Sequence, residues 1–166
     1  MIIRDETGSD ISAIADVTQA AFANLAISNQ TEQFIINALR AADALTISLV
    51  AELDGDVVGH IAFSPVTISD GSQNWYGLGP ISVLPQRQRQ GIGSALMHSG
   101  LARLKARGAH GCVLVGDPGY YERFGFKSVP EVTHEGVPQQ YVLVLPFDGH
   151  KAQGVVAFHP GFSATS

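Results

Sequence analysis

The sequence has little cysteine, little charge and no long apolar run. Its single cysteine, Cys112, allows no disulfide within the chain and is too little for a zinc site built from thiolates. Charged residues make up 15% of the 166 residues and apolar residues 45%, which excludes a highly charged disordered polymer. No stretch reaches the roughly 18 consecutive apolar residues of a membrane-spanning helix. These absences predict one soluble domain with a large hydrophobic core and no membrane partner.

The charge balance is acidic. Ten Lys and Arg face 15 Asp and Glu, a formal charge of -5, whereas a nucleic-acid-binding domain usually presents a broad basic surface. Residues 1–6 meet acidic side chains after two isoleucines, which is not the pattern of a signal peptide. The six histidines form no His-Glu-x-x-His motif or tight cluster. We therefore expect a cytoplasmic protein with no nucleic-acid partner and no metal.

Hydrophobic periodicity predicts alternating helices and strands over residues 1–147. Thr7 and Asp10 form a capping-box pattern before the first helix, and Asp54 and Gly55 fit a hairpin turn. The poorly patterned residues 148–166 are interpreted as a C-terminal extension packed on or beside the same domain. The predicted strands lie at 2–4, 48–53, 57–63, 75–83, 111–115, 126–128, 139–147 and 155–157, and the predicted helices at 11–22, 31–40, 89–107 and 118–123.

The strand at 75–83 contains residues that interrupt a regular ladder. Gly77, Gly79 and Pro80 all fall within it. Glycine weakens a strand, and proline removes a donor, so both are concentrated at bulges. We therefore predict a local defect in the sheet at this strand.

A basic turn containing Gly91 and Gly93 connects that strand to the next helix. The exposed amides and the positive dipole end at a helix start form an anion site. The two glycines let a phosphate approach the backbone, and Arg87 and Arg89 add positive charge. A Gly-x-Gly pair alone also marks tight turns and close helix packing. The turn lacks the Gly-Lys-Ser/Thr ending of a nucleoside-triphosphate loop and the six-position dinucleotide fingerprint, so we predict phosphate binding of another kind.

A second motif follows the next predicted strand. Residues 116–126 read Gly-Asp-Pro-Gly-Tyr-Tyr-Glu-Arg-Phe-Gly-Phe, and residues 88–93 read Gln-Arg-Gln-Gly-Ile-Gly. Together they resemble the GNAT superfamily of N-acetyltransferases, whose coenzyme A site uses Arg/Gln-x-x-Gly-x-Gly/Ala after a bulged strand, and whose core commonly ends with a tyrosine shortly before Gly-Phe. The first motif and Gly-His-Ile at 59–61 look more narrowly like the bacterial YhbS-type group. The order of predicted elements is similar to that of the superfamily over most of the chain.

The resemblance implies a fold and a set of ligands. The implied fold is α+β, with a central mixed, mostly antiparallel sheet splayed between the fourth and fifth strands and flanked by about four helices. The implied ligands are acetyl-CoA as cosubstrate and an amine of a small molecule, peptide or protein as acceptor. Homodimers are frequent in the superfamily, so a homodimer is expected. The implied cofactor-binding residues are Ile81, Ser82, Val83, Gln88, Arg89, Gln90, Gly91, Ile92, Gly93 and Ser94.

The resemblance also implies Tyr121 as the general acid that protonates the leaving thiolate. A tyrosine packed in the core is the alternative for Tyr121, and Tyr120 is the competing phenol. Successive helical residues differ by about 100° in direction, so the two tyrosines should not face the same sulfur.

The sequence does not identify the general base. The superfamily often places an acidic residue on the strand before the coenzyme A turn, but residues 74–79 contain none. Glu32 is implied at the border of the acceptor site, and His60 is a second candidate; a solvated helix side chain and a structural histidine are the alternatives. Deprotonation through water is equally open. The other carboxylates considered are Glu52 and Asp117.

Three functional interpretations therefore follow. The leading one is an acetyl-CoA-dependent N-acetyltransferase that acts on a primary amine. A sensor that binds coenzyme A without transferring acetyl groups is the alternative from a different class, and Tyr121 favours the enzyme. A longer acyl donor is a third interpretation, because the glycine turn would hold the same coenzyme A phosphates.

Overall fold

An eight-stranded mixed sheet and four α-helices make up the computed structural model, which describes residues 1–166. The main path of the sheet runs in the order β1-β2-β3-β4-β5-β7, and β8 pairs with β3 and β6. The β4–β5 and β6–β8 pairs are parallel and the others are antiparallel, so the sheet is mixed and mostly antiparallel, as the resemblance implies. The strands are β1 (Ile2–Asp5), β2 (Ile47–Leu53), β3 (Asp56–Ile68), β4 (Trp75–Val83), β5 (Gly111–Val115), β6 (Val132–Thr133), β7 (Val142–Pro146) and β8 (Gly154–Phe158). The helices are α1 (Ile11–Phe22), α2 (Glu32–Ala41), α3 (Ile92–Ala106) and α4 (Pro118–Tyr121).

Local signals placed the first elements correctly. The Thr7 amide donates a 2.7 Å hydrogen bond to the Asp10 carboxylate, so the capping box is present and leads through a 3-10 turn into α1. Asp54 and Gly55 have φ values of 54° and 84°, as a tight hairpin turn between β2 and β3 requires.

Several predicted boundaries were wrong. Strand β3 continues to Ile68, five residues beyond its predicted end, and three other boundaries differ for a local reason. Helix α3 begins at Ile92 rather than at 89, because Arg89 and Gly91 have left-handed φ values of 64° and 83°. The strand predicted at 126–128 is reduced to a single bridge between Lys127 and Val144. The strand predicted at 139–147 starts with a 3-10 turn, so its ladder covers only β7.

The sheet opens between β4 and β5. The two strands pair only over Trp75–Gly77 and Gly111–Val113, whereas β4 continues along β3 as far as Val83. On the β3 side Ile61 pairs with Ile81 and Phe63 pairs with Leu78. Two residues of β4, Gly79 and Pro80, therefore stand opposite a single residue of β3. This bulge confirms the predicted defect, and the parting of β4 from β5 confirms the predicted splay.

Helices cover both faces of the sheet. Helix α3 packs on one face, where Leu96 joins Phe63 in the largest core cluster. Helices α1 and α2 bury Ile14 and Ile36 against Val50 of β2 on the other face. None of the helices combines the length and the apolar character needed to cross a membrane.

The C-terminal extension adds a strand to the sheet. Strand β8 pairs antiparallel with the last residues of β3, Val66–Ile68, and parallel with β6. Beyond β8, Phe162 packs against the cluster of Ile35 and Leu39 on α2. The last residues therefore lie beside α2 and next to the open part of the sheet.

A substitution at Gly100 tests the close contact between α3 and β3. Alanine is intrinsically more favourable than glycine in a helix by about 1 kcal/mol. A Cβ at position 100 would overlap the ring of the fully buried Phe63. We expect Gly100→Ala to lower the free energy of unfolding by about 1–3 kcal/mol, measured by urea denaturation.

The matched control is Gly8→Ala, because a Cβ at Gly8 has no neighbour within 4 Å. It should leave the midpoint of unfolding nearly unchanged. A Gly100→Ala chain as stable as the parent would contradict the packing described.

Candidate active site

A basic cavity of about 480 Å³ lies where β4 ends and α3 begins. Gly91 precedes α3 in a left-handed conformation, so the first amides of the 15-residue helix have no partner within it. The lining includes three arginines and no acidic side chain. The residues that line this cofactor cavity are Ile81, Ser82, Val83, Arg87, Gln88, Arg89, Gly91, Ile92, Gly93, Ser94, Tyr120 and Arg123.

Nine of the ten residues predicted to bind the cofactor line this cavity. The exception is Gln90, which is exposed and donates a 3.4 Å hydrogen bond to the Gln86 carbonyl. The Gln88 amide donates a 3.2 Å hydrogen bond to the Val83 carbonyl, which ties the turn to the end of β4. The predicted residues therefore form one continuous surface.

Two lining residues were not predicted to bind the cofactor: Arg123, and Tyr120, which was considered only as a competing proton donor. The Arg123 guanidinium lies 4.8 Å from the centre of the Tyr120 ring, a cation–π contact. A Cβ added to Gly93 would lie 3.0 Å from the Tyr120 hydroxyl, so this phenol reaches the glycine turn. The i, i+3 spacing of an arginine after a tyrosine in a short helix was the available signal.

Tyr121 points in a different direction from Tyr120. Its ring lies beside Gly116, just after β5, and meets the Phe126 ring edge-on at 6.2 Å. Burial, followed by the neighbouring Tyr120 and Asp117, raises the pKa of Tyr121 to about 12. A phenol with this pKa stays protonated at neutral pH, as a proton donor must.

Glu32 lines a second cavity, of about 730 Å³, on the side of α2 and the C-terminal segment. This cavity reaches both edges of the open sheet, at Leu78–Pro80 of β4 and at Val115 of β5. The Glu32 carboxylate accepts a 2.7 Å hydrogen bond from the Ser28 hydroxyl. The other residues that line it are Phe22, Asn29, Ile35, His134, Val137, Ala157, Phe158, His159, Pro160, Phe162 and Ser163.

His60 lies outside both cavities and has no exposed surface. Its Nε2 lies 2.8 Å from the Ser48 hydroxyl, and Ser48 in turn donates to Glu6. Burial lowers the pKa of His60 to about 4. A fully buried imidazole cannot touch an acceptor amine in this conformation, so the structure favours the structural alternative for His60.

Glu6 connects that histidine to an ion pair. The Arg40 guanidinium binds the Glu6 carboxylate through two 2.9 Å contacts. Burial opposes ionisation of Glu6, but Arg40 and Ser48 outweigh it and hold the pKa of the carboxyl below its ordinary value. The chain Arg40–Glu6–Ser48–His60 therefore links α2, the residue that follows β1, β2 and β3.

The two other carboxylates have structural partners. Glu52 pairs with the Arg4 guanidinium at 3.0 Å. Asp117 accepts a 3.0 Å hydrogen bond from the Gly119 amide at the start of α4. Neither lines the cavity that contains Glu32. No group of three or more His, Cys, Asp or Glu side chains is arranged to hold a metal ion.

Comparison with known proteins agrees with this geometry. The model of the acetyltransferase (GNAT) family matches residues 13–126. The chain belongs to the GNAT family. It is 34% identical over 128 residues to the Escherichia coli N-acetyltransferase YhbS, covering 76% of this chain and 74% of that protein.

Solved structures of GNAT proteins share the fold. A GNAT family acetyltransferase from Brucella melitensis, in complex with acetyl-CoA, is 53% identical, with a TM-score of 0.87 and 97% of each chain covered. Escherichia coli YhbS in complex with CoA is 28% identical, with a TM-score of 0.88 over 99% of this chain and 93% of that one. The mixed, open sheet of this chain is thus the GNAT fold.

The buried histidine should make the fold sensitive to acid. The pKa of His60 is lower in the folded state than its ordinary 6.5, so the unfolded chain binds the proton more readily. Stability must therefore fall as the pH drops from 6.5 toward 4, by about 2–3 kcal/mol. In His60→Gln this part of the loss should disappear, as measured by urea denaturation between pH 7.5 and 4.5.

The paired carboxylates Glu6 and Asp10 have lowered pKa values. The stability that they contribute is therefore lost mainly at pH values below the range of this experiment. His98→Gln serves as the control, because His98 is exposed. The same pH dependence in His60→Gln as in the parent would disprove the assignment.

Proposed function

We propose that this GNAT protein transfers the acetyl group of acetyl-CoA to a primary amine. The observation that carries the proposal is the basic cofactor cavity at the N-terminus of α3, which is lined by the part of β4 that β5 no longer pairs with, Ile81–Val83. A diphosphate is the ligand that unpaired helix amides and several arginines recognise. The unpaired edge of β4 leaves main-chain groups free to bind the arm that carries the thioester.

The cofactor is held mainly by main-chain groups. Amides of the turn 89–94 bind the pyrophosphate, and Arg87, Arg89 and Arg123 supply positive charge. The pantetheine arm extends along β4 beside Ile81 and Val83, where β5 has already parted from the sheet. Because β5 does not pair there, the arm takes the place of a neighbouring strand.

The acceptor binds in the cavity that contains Glu32, which we call the acceptor cavity. It meets β4 at the bulge, immediately before the residues that line the cofactor cavity. An amine held there approaches the thioester from the side opposite α3. The Glu32 carboxylate attracts the cationic form of the amine to the site.

Tyr121 protonates the sulfur as it leaves. The phenol lies at the end of β5, next to Leu114 and Gly116. Its raised pKa keeps the phenol protonated at neutral pH, so it can donate to the negative charge that develops on the sulfur as the C–S bond breaks. We also propose cytoplasmic residence and a homodimer, on the grounds of the single cysteine and the family.

Thiol release from acetyl-CoA tests this function. The assay covers ethanolamine, spermidine, 2-phenylethylamine, free lysine and a lysine-containing peptide. Saturable release with at least one amine, together with the acetylated amine found by mass spectrometry, supports the enzyme. Tight coenzyme A binding without acetylation of any amine would instead favour the sensor.

Gly93→Val tests the cofactor cavity. A Cβ at this position meets the Tyr120 hydroxyl at 3.0 Å, and the two methyls of valine add further bulk at the glycine turn. We expect coenzyme A affinity to fall about 10- to 100-fold in isothermal titration, the effect of losing about one charge-assisted hydrogen bond. Gly8→Ala is the control; unaltered affinity in Gly93→Val would place the phosphates elsewhere.

Tyr121→Phe tests the proton donor. The ring and its packing remain, but the sulfur leaves without a proton, so kcat should fall about 100-fold while coenzyme A binding is retained. Tyr120→Phe is the matched comparison: it should weaken coenzyme A binding and preserve kcat at saturation. Equal kcat values for Tyr121→Phe and the parent at saturating substrate would remove Tyr121 from the mechanism.

A further inference from the structure

We infer that His134 accepts the proton of the acceptor amine, an assignment that rests on the proposed function. His134 follows β6 directly and lines the acceptor cavity. An amine with a pKa near that of lysine is cationic at neutral pH and must lose a proton before it attacks. The acceptor cavity therefore requires a base with a free lone pair.

The hydrogen bond of His134 fixes which ring nitrogen is free. Its Nδ1 lies 2.8 Å from the Val156 carbonyl oxygen. A carbonyl oxygen only accepts, so Nδ1 carries the hydrogen, and Nε2 holds the lone pair of the neutral ring. Val156 lies on β8 and is 1% exposed, so this partner is fixed in the fold.

The ring is also held from the side. The Phe158 ring, from the same strand, meets it edge-on with 5.1 Å between centroids. Strand β8 is anchored to β3, the longest strand of the sheet. The C-terminal extension thus orients the imidazole, which gives this segment a role in the chemistry.

The other titratable groups of the acceptor cavity are Glu32, from α2, and His159, from the C-terminal segment. His159 Nδ1 accepts a 2.9 Å hydrogen bond from the Gly161 amide, so the proton of the neutral His159 ring lies on Nε2. The two histidines therefore have opposite tautomers. His134 offers a lone pair, whereas His159 offers a donor.

The ammonium gives one proton to His134 Nε2, and the freed nitrogen attacks the thioester carbonyl carbon. The new C–N bond forms and the C–S bond breaks, while Tyr121 gives its proton to the sulfur. The second proton lost by nitrogen restores the Tyr121 phenol, and the imidazolium releases its proton to water.

His134→Asn tests the assignment, because an asparagine amide still donates to the Val156 carbonyl but offers no base. With the best amine of the panel we expect kcat to fall about 100-fold at pH 7, with the KM for acetyl-CoA unchanged. The defect should shrink as the pH rises toward about 10.4, because a growing share of the amine is then already neutral. A merely structural role would give a defect of the same size at every pH.

His159→Asn is the matched comparison, since its side-chain oxygen still accepts from the Gly161 amide. It should alter the KM for the amine and leave the pH dependence of kcat unchanged. A His134→Asn variant with the parental kcat at pH 7, or with a pH-independent defect, overturns the inference alone. A parent chain that acetylates none of the amines overturns the proposed function, and this inference with it.

Discussion

The parting of β4 from β5 after Gly77 governs the placement of both cavities. Gly79 and Pro80 stand opposite a single residue of β3, and β4 keeps its pairing with β3 on both sides of this bulge. Strand β5 stays paired with β7 along its whole length. Beyond that point β4 has no neighbour on its other edge. Unpaired main-chain groups inside a sheet need partners, and a ligand that lies along the strand supplies them. The gap is therefore an interruption of the hydrogen-bond ladder and, in the proposed function, the surface that binds the cofactor.

Charge is distributed unevenly around this gap. The chain as a whole carries -5, but the cofactor cavity gathers Arg87, Arg89 and Arg123 around a helix N-terminus. The acceptor cavity has one carboxylate, Glu32, and two histidines. In the proposed function an anionic cofactor and a cationic amine are thus attracted from opposite sides, and the net charge of the chain reveals neither site.

The Gly-His-Ile segment at 59–61 serves the framework. A Cβ at Gly59 would lie 3.1 Å from both Ile92 and Leu96, so the glycine lets α3 sit close to the sheet beside the glycine turn. The neighbouring His60 points into the polar network that ends at Arg40. Such a network is costly to bury and is stabilising only while each partner is present.

The sequence by itself determined most of the elements and the cofactor turn, because both depend on residues close together in the chain. Periodicity placed β4 and β5 at their observed bounds, and all but Gln90 of the cofactor residues that the resemblance implied lie on one surface. Only the tertiary structure decided the direction of Tyr120 and the burial of His60. It alone brought Glu32, His134 and His159 to one cavity, since segments about a hundred residues apart meet through sheet pairing, which spacing along the chain does not encode.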